Sequence, residues 1–198
     1  HFAFGIHIYK NLSALRLSNL TLVINHQLGP EVNAIVAVMM RLGNLALQFT
    51  FRLLIPFYPY LCDYYKTSKR KLVALFKIQI LMMLLIGVAV FLFLIVINKE
   101  FIAIWVGVEF FGGNDINAVL ALLVSVLICF SNVSYFVFMI EKFTAPAFIV
   151  FCEVFIFLLI GLTSELGASL FELLILFVVL VWCSLGAQLV FVIRHLKI

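Results

Sequence analysis

The chain has 198 residues and a net charge of +4; 66% of the residues are apolar, 11% are charged, and the mean hydropathy is +1.27. A soluble domain is closer to half apolar and a quarter charged, and it needs a wetted outer surface. The composition therefore excludes an ordinary soluble domain and indicates a chain that lipid largely covers. Polar residues cluster at intervals and do not alternate with apolar ones, which predicts an all-α integral membrane bundle rather than a barrel.

The apolar runs predict six transmembrane helices in a single unit over residues 1–198. We call them spans A to F, at residues 5–28, 32–60, 72–98, 116–140, 145–162 and 168–193. Each is long enough to cross a bilayer, which takes roughly 20 residues, and the breaks carry Gly and Pro. The chain begins with His1 inside an apolar run and shows no cleavable signal peptide, so we expect a piece of a longer protein.

The charged residues of the loops predict an orientation. If the spans alternate in direction, one side receives a group of cations, namely Lys10, Lys66, Lys69, Arg70, Lys71, Lys142, Arg194 and Lys197. The other side holds mostly acids, namely Glu31, Glu100, Glu109, Asp115 and Glu165, with Lys99. Positive loops stay cytoplasmic, so both ends are expected inside, as six spans require.

The segment between spans C and D contains the sequence FIAIWVG at residues 101–107. A short interfacial helix there would place Trp105 at the level of the lipid headgroups, where aromatic side chains are enriched. We interpret Trp105 as an ordinary interfacial anchor.

Span B carries a polar stripe. Arg41, Asn44, Gln48 and Arg52 are three, four and four residues apart, so a helix places them on one face. Arginine in the middle of a membrane is costly unless it meets water or a partner. We interpret the stripe as the cationic wall of a wet cavity that faces an anionic substrate. A polar seam paired with acids, or snorkelling for Arg52, stays open as the alternative.

Span A is also polar for a membrane helix. Ser18, Thr21 and Asn25 share one face, and Arg16 and Asn19 lie on a neighbouring one. Such a helix cannot face lipid all round, so we expect it to line the same cavity. Arg16 and Asn25 join the predicted substrate-binding residues.

Glu153 lies near the centre of span E. A buried carboxylate in a membrane is protonated or paired with a cation. Glu153 is therefore a candidate coupling site for a proton or cation, and a structural ion pair with an arginine of another span is the equal alternative.

The sequence contains no motif typical of soluble enzyme chemistry. The four cysteines, Cys62, Cys129, Cys152 and Cys183, show no CxxC spacing and are expected to be free thiols. We find no phosphate loop, metal-binding spacing or catalytic set, and the short basic B–C segment is better interpreted as a topology signal than as a nucleic-acid patch. We expect no catalytic residues, no metal, no cofactor and no nucleic-acid partner.

Several segments resemble bacterial polysaccharide flippases in their order and spacing. They are the run at residues 23–32, which looks like the LG-x-E-x-V helix end of that family, the RL of residues 41–42, the proline and basic segment at residues 59–75, FIAIWVG at residues 101–107, and Glu153 followed by ELGAS at residues 165–169. The similarity runs along nearly the whole chain. Two positions depart from the family pattern: no Asp stands near Asn19 or Thr21, and no Asn follows Glu153.

The resemblance is to the O-antigen flippase branch of the multidrug/oligosaccharidyl-lipid/polysaccharide exporter superfamily. It implies 12 to 14 helices in two lobes around a cavity, with this chain as the C-terminal lobe. It also implies export of undecaprenyl-pyrophosphate-linked oligosaccharide for O-antigen, lipopolysaccharide or capsule across the bacterial inner membrane. The partners implied are the lipid-linked oligosaccharide, membrane lipids, an N-terminal lobe and other polysaccharide-assembly proteins.

Three other functions stay open. A cation-coupled multidrug exporter of the same superfamily would need an anionic cavity. A membrane-embedded transferase or ligase of the glycan pathway would need an acid or histidine in a sizeable outer loop. A structural subunit would have its polar stripes satisfied by contacts between helices.

Overall fold

The computed structural model describes residues 2–140, 144–163 and 169–196. Within these ranges the regular elements are all helical, which confirms the predicted all-α membrane fold. They are α1 (Phe2–Leu28), α2 (Pro30–Leu54), α3 (Tyr58–Thr67), α4 (Lys69–Trp105), α5 (Asn114–Ile140), α6 (Thr144–Thr163) and α7 (Leu170–Leu196), with short 3₁₀ turns at Ile55–Phe57 and Val108–Phe110.

Five helical segments of the described part are long and apolar enough to cross a membrane. They are Pro30–Thr67, Lys69–Trp105, Asn114–Ser134, Thr144–Thr163 and Leu170–Leu196. They match spans B to F, although several boundaries differ. The helix of span A is present as α1, with 27 residues, but it is not among these five, so the sixth crossing stays a prediction.

Helix α5 lies at the centre of the bundle. It contacts α2, α3, α4 and α7, while α1 packs against α6, α2 and α7, and α6 packs against α7. Most of α5 is buried, because its sequence is apolar around nearly its whole circumference, as expected of a helix enclosed by others. Helices α4 and α6 lie at the periphery, where each exposes an apolar face.

The structure corrects the end of span B and the segment that follows it. Helix α2 ends at Leu54 rather than near residue 60, because Pro56 lacks an amide proton and its ring disfavours a continuing α-helix. The chain then forms the separate helix α3, with Pro59 in its first turn, where proline is tolerated. The predicted basic loop is therefore mostly helical, and only Ser68, in an extended conformation, separates α3 from α4.

Helix α4 is longer than predicted. Its 37 residues correspond to about 55 Å, well beyond a hydrocarbon core of about 30 Å, so both ends must reach the headgroup regions. Trp105 is the last residue of this continuous helix, so the prediction of a short interfacial helix there is wrong. The helix stops because Gly107 has φ +110°, and its amide donates to the carbonyl of Ile102 at 3.1 Å.

Candidate functional site

The polar stripe of α2 lies on the surface of the described bundle. Arg41, Gln48 and Arg52 are exposed, and Asn44 is half-buried at the edge of the stripe. None of these four side chains makes a hydrogen bond or ion pair with another described residue. The stripe is therefore not a seam satisfied by acids within the described part of this chain.

The opposite side of α2 explains why the stripe faces outward. Gly43 is buried against α5, and a Cβ at this position would lie 2.6 Å from Cγ2 of Val124. Met39, Met40 and Leu47 are buried on the same side. A helix that buries its glycine and large apolar residues on one side must turn the guanidinium groups to the other.

Helix α1 divides its polar residues between two environments. Ser18, Thr21 and Asn25 are exposed, whereas Arg16 and Asn19 are buried. Helix α2 follows α1 after Gly29 alone and packs against it, so both polar helices are neighbours in the bundle. We call the exposed residues Ser18, Thr21, Asn25, Arg41, Gln48 and Arg52 the polar face.

The exposed surfaces of the other long helices differ from the polar face. Helix α4 exposes aliphatic residues, including Leu81, Leu85, Val88, Leu92 and Val96, and α6 exposes Phe148, Phe151, Phe155, Leu159 and Leu162. Such surfaces suit acyl chains. The polar face interrupts this coat, although Leu45 and Phe49 flank it, and its charged groups need water or a polar ligand.

Arg16 and Glu153 form a buried ion pair between α1 and α6. Arg16 Nε donates to Glu153 Oε1 at 2.7 Å and Nη2 donates to Oε2 at 2.6 Å, a bidentate geometry. Nη2 also lies 3.1 Å from Ser184 Oγ on α7, and the guanidinium carbon is 3.5 Å from the ring centroid of Phe130 on α5. Arg16 and Glu153 are 2% and 4% exposed.

This geometry separates the predicted site residues into two groups. Arg16 does not join Arg41 and Arg52 on the polar face, because Glu153 holds it inside the bundle. Glu153 forms an ion pair with an arginine of another helix, which was the alternative to a coupling role. Two short hydrogen bonds join Glu153 to Arg16. Substrate binding by Arg16 and coupling by Glu153 stay predictions.

A second polar contact ties α1 to α5 and α7. The hydroxyl of Tyr9 donates to Gln188 Oε1 at 2.8 Å and lies 2.9 Å from Ser134 Oγ, which in turn lies 2.9 Å from the carbonyl oxygen of Phe130. Tyr9 and Arg16 are seven residues apart on α1, and Gln188 and Ser184 are four apart on α7. The Tyr9 contact and the ion pair therefore lie on one line along the inner faces of these helices.

Sequence reasoning missed the contact around Tyr9 and another at the opposite end of α5. Asn98 Nδ2 donates to the carbonyl of Met39 at 3.0 Å and to Asn117 Oδ1 at 2.7 Å, and Asn117 Nδ2 donates to the carbonyl of Leu94 at 3.1 Å. These bonds tie α2, α4 and α5 together. A single Asn inside an apolar run was the available signal, but its partner is distant in sequence and periodicity does not identify it.

The described residues hold no group of three or more His, Cys, Asp or Glu side chains placed to bind a metal ion, and all four cysteines are free thiols. Comparison with protein-family models, with curated proteins and with solved structures gives no match. The structure itself describes an all-α membrane bundle with a polar face on α1 and α2.

Proposed function

We propose that this chain is one lobe of a transporter that flips undecaprenyl-pyrophosphate-linked oligosaccharides across the bacterial inner membrane. The observation that carries the proposal is the exposure of Arg41 and Arg52, without a described partner, on the surface of a bundle whose helices α4 and α6 expose apolar faces. The resemblance to polysaccharide flippases gives the substrate class, and the loop charges give the orientation with both ends cytoplasmic.

The proposed chemistry follows from the groups on the polar face. Guanidinium groups bind phosphate oxygens in a bidentate manner, so Arg41 and Arg52 would attract the pyrophosphate and acidic sugars. Asn25 and Gln48, with the half-buried Asn44 beside them on α2, would exchange hydrogen bonds with sugar hydroxyls. The polyprenyl tail would stay in lipid beside the lobe, and alternating access would rock this lobe against an N-terminal one.

A cation-coupled exporter of small organic cations is less well supported. Such a cavity needs acids that face the substrate, yet α2 contains no Asp or Glu between Val32 and Leu54. The nearest acid of this helix is Glu31, in its first turn.

An export assay in the intact protein tests the proposal. In the double variant Arg41→Ala/Arg52→Ala we expect export to fall at least tenfold and lipid-linked oligosaccharide to accumulate on the cytoplasmic side. Lys77→Ala, which removes an exposed cation from α4, is the matched control and should export normally. Normal export by a well-expressed double variant would end the proposal of a cationic cavity.

Water access at the polar face gives a second test. In a variant with its native cysteines replaced by Ser, Gln48→Cys should react with a membrane-impermeant maleimide, whereas Leu85→Cys should not, although both positions are exposed. Equal protection of both thiols in a bilayer would place the polar face in lipid and contradict the proposed cavity.

Within the proposal, coupling by Glu153 requires the pair with Arg16 to open during the transport cycle. Glu153→Gln keeps the shape of the side chain but removes its charge. If Glu153 couples transport to protons, this variant should lose the dependence of export on the pH gradient. An unchanged dependence would assign the ion pair to structure alone.

A further inference from the structure

Gln79 and Asn132 are amide side chains buried in the contact between α4 and α5. Gln79 is 1% exposed and Asn132 is 0% exposed. Three of their atoms, Gln79 Oε1 and both Asn132 Oδ1 and Nδ2, have no hydrogen-bond partner among the described residues. Buried polar atoms without partners are uncommon in native proteins, and an ordered water often accounts for them.

Two contacts fix how α4 and α5 align in this region. The rings of Phe76 and Phe136 meet edge to face, with centroids 4.6 Å apart. Two turns further along α4, the carbonyl oxygen of Met83 lies 4.0 Å from Cys129 Sγ. The residue number rises on α4 as it falls on α5, so the helices run antiparallel.

The alignment brings the two amides to the same level. Gln79 follows Phe76 by three residues, and Asn132 precedes Phe136 by four. Residues at these spacings lie on the same helix face as the two rings. Both amides therefore point into the α4–α5 interface, one turn from the aromatic contact.

We infer that one buried water molecule occupies the α4–α5 interface between Gln79 and Asn132. A water molecule donates two hydrogen bonds and accepts further ones, so one molecule satisfies all three atoms. It donates to Gln79 Oε1 and to Asn132 Oδ1, and it accepts from Asn132 Nδ2. Three hydrogen bonds are typical of a buried water. The unpartnered Nδ2 is a donor, which suits water and does not suit a metal cation.

High-resolution density of the full-length protein tests the inference directly. We expect one solvent peak within hydrogen-bond distance of the three atoms, unchanged when Rb⁺ replaces Na⁺ in the buffer. A direct hydrogen bond between the two amides with no peak would overturn the inference. A peak that strengthens with Rb⁺ would also overturn it, because the occupant would then be a cation.

A thermal-unfolding cycle gives an independent readout. Gln79→Met and Asn132→Leu should each lower Tm by a few degrees, since each leaves the other amide with a poorly bound water. The double variant should unfold at or above the Tm of the wild type, because neither amide is then left without a partner in the interface. Additive losses would overturn the inference.

Asn117→Leu is the matched control for this cycle. Asn117 lies on the same helix, α5, and is buried, but both ends of its amide are hydrogen-bonded to other described residues. Its loss of Tm should simply add to that of Gln79→Met. If Gln79→Met rescued Asn117→Leu as it rescues Asn132→Leu, the effect would not report on a shared water.

Discussion

Arg16 and Arg41 lie at comparable distances from the turn at Gly29, about 20 Å along α1 and about 18 Å along α2 at 1.5 Å per residue. Arg16 is buried, is hydrogen-bonded to Glu153 and Ser184, and places its guanidinium group over the ring of Phe130. Arg41 is exposed and has no described partner. The same residue type at a similar distance from the turn thus occurs in two environments, a closed interior and an exposed face.

Charge inside a membrane span therefore does not by itself identify a substrate site. An arginine satisfied by a carboxylate and a hydroxyl contributes to the packing of the bundle. An exposed arginine without a partner needs something outside the described chain, which is either water or a polar ligand.

The largest effect is expected at the buried pair. Arg16→Met and Glu153→Leu should each lower the free energy of unfolding by about 3–5 kcal/mol, because each leaves one buried charge without its partner. The double variant Arg16→Met/Glu153→Leu should recover most of this loss, since no isolated charge remains. Steric-trap unfolding in lipid bicelles measures all three. Losses that add in the double variant would show that the two side chains do not act as a pair.

A smaller loss is expected where α1 packs on α6. A Cβ at Gly161 would lie 2.5 Å from Cγ1 of Val23, and Gln27 Nε2 donates to the carbonyl of Gly161 at 2.5 Å. Gly161→Val should therefore cost about 1–3 kcal/mol through overpacking. Gly186→Val is the control, because a Cβ there meets no atom within 4 Å. Equal stability of the two variants in the bicelle assay would contradict the packing described.

A loss of about 1 kcal/mol is expected for Tyr9→Phe, which removes the hydroxyl bonded to Gln188 and near Ser134. Tyr60→Phe is the control, since that ring is exposed. Thermal unfolding of the two variants in one detergent measures the difference. A lower Tm for Tyr60→Phe than for Tyr9→Phe would show that the Tyr9 contact does not stabilise the protein.

The sequence predicted the fold class, the approximate positions of five spans and the faces of α1 and α2. Composition and apolar runs suffice for these, because a bilayer leaves few other structures available. Helix periodicity also grouped Ser18, Thr21 and Asn25, which the structure finds exposed together.

The partner of Glu153 was not predictable from the sequence. Glu153 was expected to be paired or coupled, and several arginines were available to it; only the packing of α1 against α6 selects Arg16. Helix α3 was missed because residues 32–60 were predicted to form one span, whereas Pro59 lies in the first turn of a new helix.

The smallest change in stability is expected at Arg41, and its sign is informative. If Arg41 faces water, Arg41→Met should change the free energy of unfolding by less than about 0.5 kcal/mol in bicelles, as for an ordinary surface position. If Arg41 faces acyl chains, the same variant should be more stable by several kcal/mol, because it removes a charge from lipid. Leu85→Met on the apolar face of α4 is the control and should be neutral in either case. A clear stabilisation by Arg41→Met would therefore contradict an aqueous cavity even if export were impaired, since loss of export alone could arise from a misplaced helix.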